Sequence, residues 1–205
     1  MNYKVVHCVF CSQISNTDRY KKLITQEAAT MNKYPKIAKS LGFTEAVYLP
    51  NIALESKEEI RKYCNPKQCP NHGQNWVCPP ACGTLDECHE KTKEFTKGIV
   101  LQSMTKLTPP TSMEMYKSLN IEHNLRFKKF IEEVRKDVTQ VLPLTTGGCI
   151  FCDSCSFPNP CIKPEVKMES LSAFGIDVSD LCLITRLPYS FREDRVYFIA
   201  LLLTK

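Results

Sequence analysis

Long apolar runs are missing from this sequence. The longest uncharged one, residues 196–203, is eight residues, against the roughly 20 that a membrane-spanning helix needs. The first ten residues carry one lysine and a short apolar patch broken by His7, without the apolar stretch of about 7–15 residues that marks a secretory signal. The expectation is a cytoplasmic protein with no membrane partner. Blocks of like charge are missing too. Lysine and arginine total 27 against 22 aspartate and glutamate, a formal +5, and Lys21–Lys22, Lys33/Lys36/Lys39 and Arg126/Lys128/Lys129 are interleaved with acids or apolar residues. Nothing resembles a nucleic-acid-binding tail, so no nucleic acid is expected as a partner.

Several catalytic signatures are absent as well. There is no G-x-G-x-x-G dinucleotide loop, no P-loop, no G-x-S-x-G elbow and no H-E-x-x-H. Flavin, nucleotide and hydrolase chemistry therefore have no footing. The C-x3-C-x2-C run of radical S-adenosylmethionine enzymes is absent, because Cys78-x3-Cys82 continues with a gap of five.

Cysteine is what the chain has in excess: twelve in 205 residues. In a reducing compartment clustered thiols bind metal more readily than they pair as disulfides. Nine of them fall in two groups. The second reads Cys149-x2-Cys152-x2-Cys155-x5-Cys161, with proline at 158, 160 and 164. Two consecutive x2 gaps put three thiolates on one tight loop, three corners of a cubane that a fourth closes, as in the opening of the bacterial ferredoxin run. Zinc ribbons instead pair two C-x2-C knuckles across a longer gap. Iron–sulfur is the favoured reading and zinc the alternative.

The first group is Cys64-x4-Cys69-x8-Cys78-x3-Cys82-x5-Cys88. One four-iron cluster needs four sulfurs, so either Cys82 or Cys88 is spare. Pro79 and Pro80 can donate no N–H to a nearby sulfur. Cys88 falls in the first turn of an expected helix, whose positive end favours a thiolate. His72 is an alternative ligand. Trp76, the sole tryptophan, lies two residues before Cys78 and is expected to shield that site from water. Two clusters of charge about −2 each would bring the +5 close to neutral. Of the remaining cysteines, Cys8 and Cys11 form a lone C-x2-C, and Cys182 between two leucines reads as a buried thiol.

The hydrophobic pattern predicts strands over 4–10, 44–49, 99–104, 141–146 and Arg195–Thr204, the last apolar enough in its middle to be covered on both faces. It predicts helices over 18–29 and 35–41, and from two capping boxes, Ser56-x-x-Glu59 and Thr84-x-x-Glu87. A long helix follows over 112–139, with a stripe through Tyr116, Leu119, Phe127, Phe130, Ile131, Val134 and Val138. His123 on that stripe reads as a core residue. Short helices are expected over 169–174 and 179–183. The fold class is α/β, a compact alternating helix/strand sheet with two cysteine-rich metal-binding loops. Residues 1–43 form an N-terminal extension and 44–205 the cysteine-rich domain.

One segment is more specific: Trp76-Val77-Cys78-Pro79-Pro80-Ala81-Cys82-Gly83-Thr84-Leu85-x-Glu87-Cys88. With Cys64, Cys69, Cys149-x2-Cys152-x2-Cys155, Pro160-Cys161, Gly175-Ile176-Asp177-Val178, Cys182 and Leu187-Pro188-Tyr189, it resembles the predicted metal-binding proteins grouped as domain of unknown function 2284. The resemblance implies cysteine-bound metal of iron–sulfur type and brings no reaction with it.

The expected function is that of an iron–sulfur protein with two [4Fe-4S] clusters, used in electron transfer with a redox partner protein or in reductive chemistry. Cys149, Cys152, Cys155 and Cys161 hold one cluster; Cys64, Cys69, Cys78 and either Cys82 or Cys88 hold the other. The alternatives are an enzyme whose open iron acts on a small-molecule substrate, and an interaction module stabilised by zinc.

Overall fold

The apolar strand β5 (Arg195–Thr204) becomes the centre of a five-stranded sheet. The computed structural model describes residues 29, 32–190 and 192–205. The strand expected over 4–10, all but the last residue of the helix expected over 18–29, and Cys8 and Cys11 lie outside the described residues. The other strands are β1 (Glu45–Leu49), β2 (Lys97–Lys106), β3 (Val141–Thr145) and the two-residue β4 (Glu169–Ser170), in the order β1-β2-β5-β3-β4. β1 pairs with β2, β2 with β5 and β3 with β5 antiparallel; only β3 and β4 run parallel.

Both faces of the sheet are covered, which explains the unbroken apolar run of β5. Its Ile199, Leu201 and Leu203 face one core with Val100, Leu144, Leu171, Phe174, Leu181 and Cys182. Its Ala200 and Leu202 face a second core with Ile99, Leu101, Phe127, Phe130 and Ile131. Period-two alternation thus divides one strand between two apolar layers. Helix α1 (residues 32–40) contributes Tyr34 and Ala38 to the second core.

The helix starts show where local signals hold and where they yield. In α3 (Leu85–Lys93) the capping box forms as expected: Thr84 accepts from the Glu87 N–H at 3.2 Å, and Glu87 accepts from the Thr84 N–H at 2.8 Å. Thr84→Ala is expected to cost about 1 kcal/mol, readable as a lower thermal midpoint. The Ser56 box does not form. Helix α2 is only Glu58–Arg61, and its N-cap is Lys57, whose backbone N–H donates to the Gly175 carbonyl at 2.8 Å. A tertiary hydrogen bond therefore sets this start.

Helix α4 (Met113–Val134) is capped by Ser112 and ends five residues before 139. Phe127, Phe130, Ile131 and Val134 are buried, whereas Tyr116 and Leu119 stay half-exposed. His123 is a core residue: fully buried, its Nδ1 lies 2.9 Å from Ser103 Oγ, and burial pushes its pKa down to about 3. The helix expected over 169–174 is instead β4 followed by a 3-10 turn, Ser172–Phe174. Helix α5 (Val178–Thr185) starts at Asp177, whose side chain accepts from the Ser179 N–H at 2.8 Å. Cys182 on it is buried. Among the described residues no helix is long and apolar enough to cross a membrane.

Candidate metal centre

Cys64, Cys69, Cys78 and Cys82 of the first group occupy a chain of turns between α2 and α3, Cys88 lies in the first turn of α3, and the second group occupies the loop between β3 and β4. Backbone hydrogen bonds shape the first loop. Cys69 N–H donates to Asn65 O at 2.9 Å, Gly73 N–H to Pro79 O at 2.7 Å, and Cys82 N–H to Cys78 O at 3.2 Å. The thiols of Cys64, Cys69, Cys78 and Cys82 act on one another electrostatically. Burial raises the pKa of the Cys64 thiol, and the charges of Cys69 and Cys82 raise it further. Burial pushes Cys78 up to about 12, again with contributions from Cys69, Cys64 and Cys82. Four sulfurs that repel one another as thiolates are a set that a cation relieves.

Cys88 stands apart from that set. It is fully buried, with its sulfur 3.5 Å from the Cys82 carbonyl oxygen. A hydrogen bond from Cys88 and the nearby Arg61 guanidinium hold Cys82 below the usual thiol range, while the Cys82 neighbour and burial hold Cys88 well above it. Cys88 lies in the first turn of α3, where the Cys82 neighbour and burial act against its thiolate form.

Two residues carry this environment without belonging to any sequence motif. Arg61, at the end of α2, donates to the Ala173 carbonyl, to Gly83 O at 2.5 Å and to Cys82 Sγ at 3.4 Å, with Cys88 Sγ at 3.9 Å. Asn75, 5% exposed, accepts from the Cys78 N–H through its backbone carbonyl at 3.4 Å, and its side chain opposes the rise in the Cys78 pKa.

In the second group, Cys149, Cys152, Cys155 and Cys161 line one cavity of about 30 Å³. Burial raises the pKa of Cys149, with Cys152 and Cys161 adding to the rise, while the backbone at Phe151 and Met168 opposes it. Lys163 and Lys167 also line the cavity. Lys163 Nζ donates to Phe151 O at 2.8 Å, and Lys167 pairs with Glu169 at 2.8 Å.

Trp76 lies elsewhere than its sequence position suggests. Although two residues from Cys78, it lines the cavity of the second group. Its ring meets Phe157 edge-on at 5.2 Å, and its Nε1–H donates to Asn159 O at 2.9 Å.

Among the described residues, no three or more His, Cys, Asp or Glu side chains are arranged to hold a metal ion. Each group nevertheless supplies four thiols with the donor chemistry that zinc and iron–sulfur clusters share. His72 sits in the first loop, its backbone N–H donating to Cys69 O at 3.2 Å.

Over residues 47–204 the chain matches the family described as predicted metal-binding protein (DUF2284), and it belongs to that family. No curated protein and no solved structure matches it.

Proposed function

We propose that this member of the predicted metal-binding family holds two [4Fe-4S] clusters and exchanges electrons with a redox partner. The observation that carries the reading is the single cavity lined by all four cysteines of the second group, on a loop whose x2-x2 spacing suits a cubane. Cys149, Cys152, Cys155 and Cys161 would hold one cluster. Cys64, Cys69, Cys78 and Cys82 would hold the other, with Cys88 as the spare thiol behind it. When bound, such a cluster takes up and releases single electrons.

The chain's own residues set the surroundings. Arg61 beside Cys82 and the two lysines at the second cavity place positive charge next to centres that are anionic with their thiolates. Arg61 Nη1, 3.4 Å from Cys82 Sγ, directs a hydrogen bond onto sulfur. Such bonds raise a cluster's reduction potential. Trp76 and Phe157 pack together at the second site, which helps exclude water.

Metal analysis of protein purified without oxygen tests the reading. About eight iron and eight sulfide per chain are expected for two four-iron clusters, with a broad visible absorption that dithionite bleaches. One or two zinc ions without sulfide would overturn it and make the metals structural.

A further inference from the structure

The two cysteine groups are far apart in sequence but share a wall. Trp76 and Val77 both line the cavity of the second group, while the next residue, Cys78, is coupled electrostatically to Cys64, Cys69 and Cys82 of the first. Consecutive Cα atoms lie about 3.8 Å apart, so the Cα of Trp76 is within about 8 Å of that of Cys78. The segment is anchored on the second loop through Phe157 and Asn159, and Val77 is fully buried. A second contact joins the loops: a Cβ on Gly148, the residue before Cys149, would lie 3.1 Å from the Asn71 side chain of the first loop.

We propose that the two groups form one coupled centre, in which filling the second cavity fixes Trp76 and Val77 and thereby favours retention of metal by Cys78 and its partners. The inference rests on the reading that both groups bind iron–sulfur clusters. With the second cavity empty, Trp76 loses part of the surface it packs against, and the backbone carrying Cys78 gains freedom. Ordering that segment then becomes a cost of filling the first group. By thermodynamic reciprocity each occupied group favours the other, and couplings of this kind are typically about 5- to 150-fold.

Trp76 supplies its own reporter, because it is the only tryptophan. The test uses the full chain reconstituted anaerobically with ferrous iron and sulfide, alongside Cys69→Ser and Cys155→Ser. Filling is expected to quench the tryptophan emission more strongly in wild type and in Cys69→Ser than in Cys155→Ser. The first group of Cys155→Ser should lose its iron to a chelator at least about fivefold more readily than in wild type. Trp76→Ala should also loosen the first group, and Trp76→Phe, which keeps a ring against Phe157, should restore most of the retention. Quenching that requires Cys69 rather than Cys155 would overturn the placement of Trp76. Unchanged first-group retention in both Cys155→Ser and Trp76→Ala would overturn the coupling while leaving the metal reading intact. A wild-type chain that takes up neither iron nor sulfide would overturn both together.

Discussion

Cys82→Ser is expected to empty the first cysteine group, and Cys88→Ser to leave it filled. The two thiols are six residues apart and both are buried, so neither spacing nor exposure tells them apart. Their neighbours do. Cys82 acts electrostatically on Cys64 and Cys78, and the influence on Cys88 comes first from Cys82. Arg61 Nη1 is also closer to Cys82 Sγ, at 3.4 Å against 3.9 Å for Cys88. Its positive charge favours the thiolate that metal binding requires. With two four-iron clusters, Cys82→Ser should lower iron from about eight to about four per chain, and Cys88→Ser should stay near eight. Iron and sulfide analysis of the two variants decides it. The opposite pattern would make Cys88 the ligand and Cys82 the spare.

How far the sequence reveals this site depends on how local each feature is. The second group was legible because three of its cysteines lie within seven residues, and a tight loop leaves their side chains little choice but to converge. The Thr84 box was legible for the same reason, since both its hydrogen bonds close within four residues. Ser56-x-x-Glu59 has the same pattern, yet the Gly175 carbonyl, distant in sequence, takes the Lys57 N–H and starts the helix elsewhere. β4 was invisible because two residues have no periodicity. It exists through parallel pairing of Glu169 with Leu144 and of Ser170 with Thr145. Arg61 and Asn75 were missed because a single polar residue in a turn-rich stretch has no signature until the chain brings a sulfur to it. Trp76 lies two residues from Cys78 in sequence but packs against the second group across the inter-loop contact.

Gly175→Ala should have the largest effect on stability and should disturb the first metal group with it. Gly175 ends the 3-10 turn in the left-handed region, φ 69° and ψ 16°, where a Cβ costs about 1–2 kcal/mol. The methyl would also lie 2.8 Å from both the Lys57 backbone nitrogen and Leu85 Cδ1, and 2.9 Å from the Lys57 carbonyl oxygen. Two of those three atoms are backbone, so no rotamer change relieves the clash, and overpacking of this kind adds about 1–3 kcal/mol. A total loss of about 2–5 kcal/mol follows from the two terms. The displacement has a direction. Lys57 is the N-cap of α2, which carries Arg61 four residues on, and Arg61 joins Ala173 and Gly83 to Cys82. Pushing Lys57 away from Gly175 therefore pulls the guanidinium off the Cys82 sulfur. Leu85 opens α3, the helix that carries Cys88, so the same methyl presses on the other side of the pair. The thermal midpoint of Gly175→Ala should fall markedly. Relative to wild type, cysteine alkylation of the folded variant should speed up more at Cys82 than at any cysteine of the second group, whose loop this glycine does not touch. Equal exposure of both groups would mean that the glycine supports the whole fold and has no particular bearing on the first site.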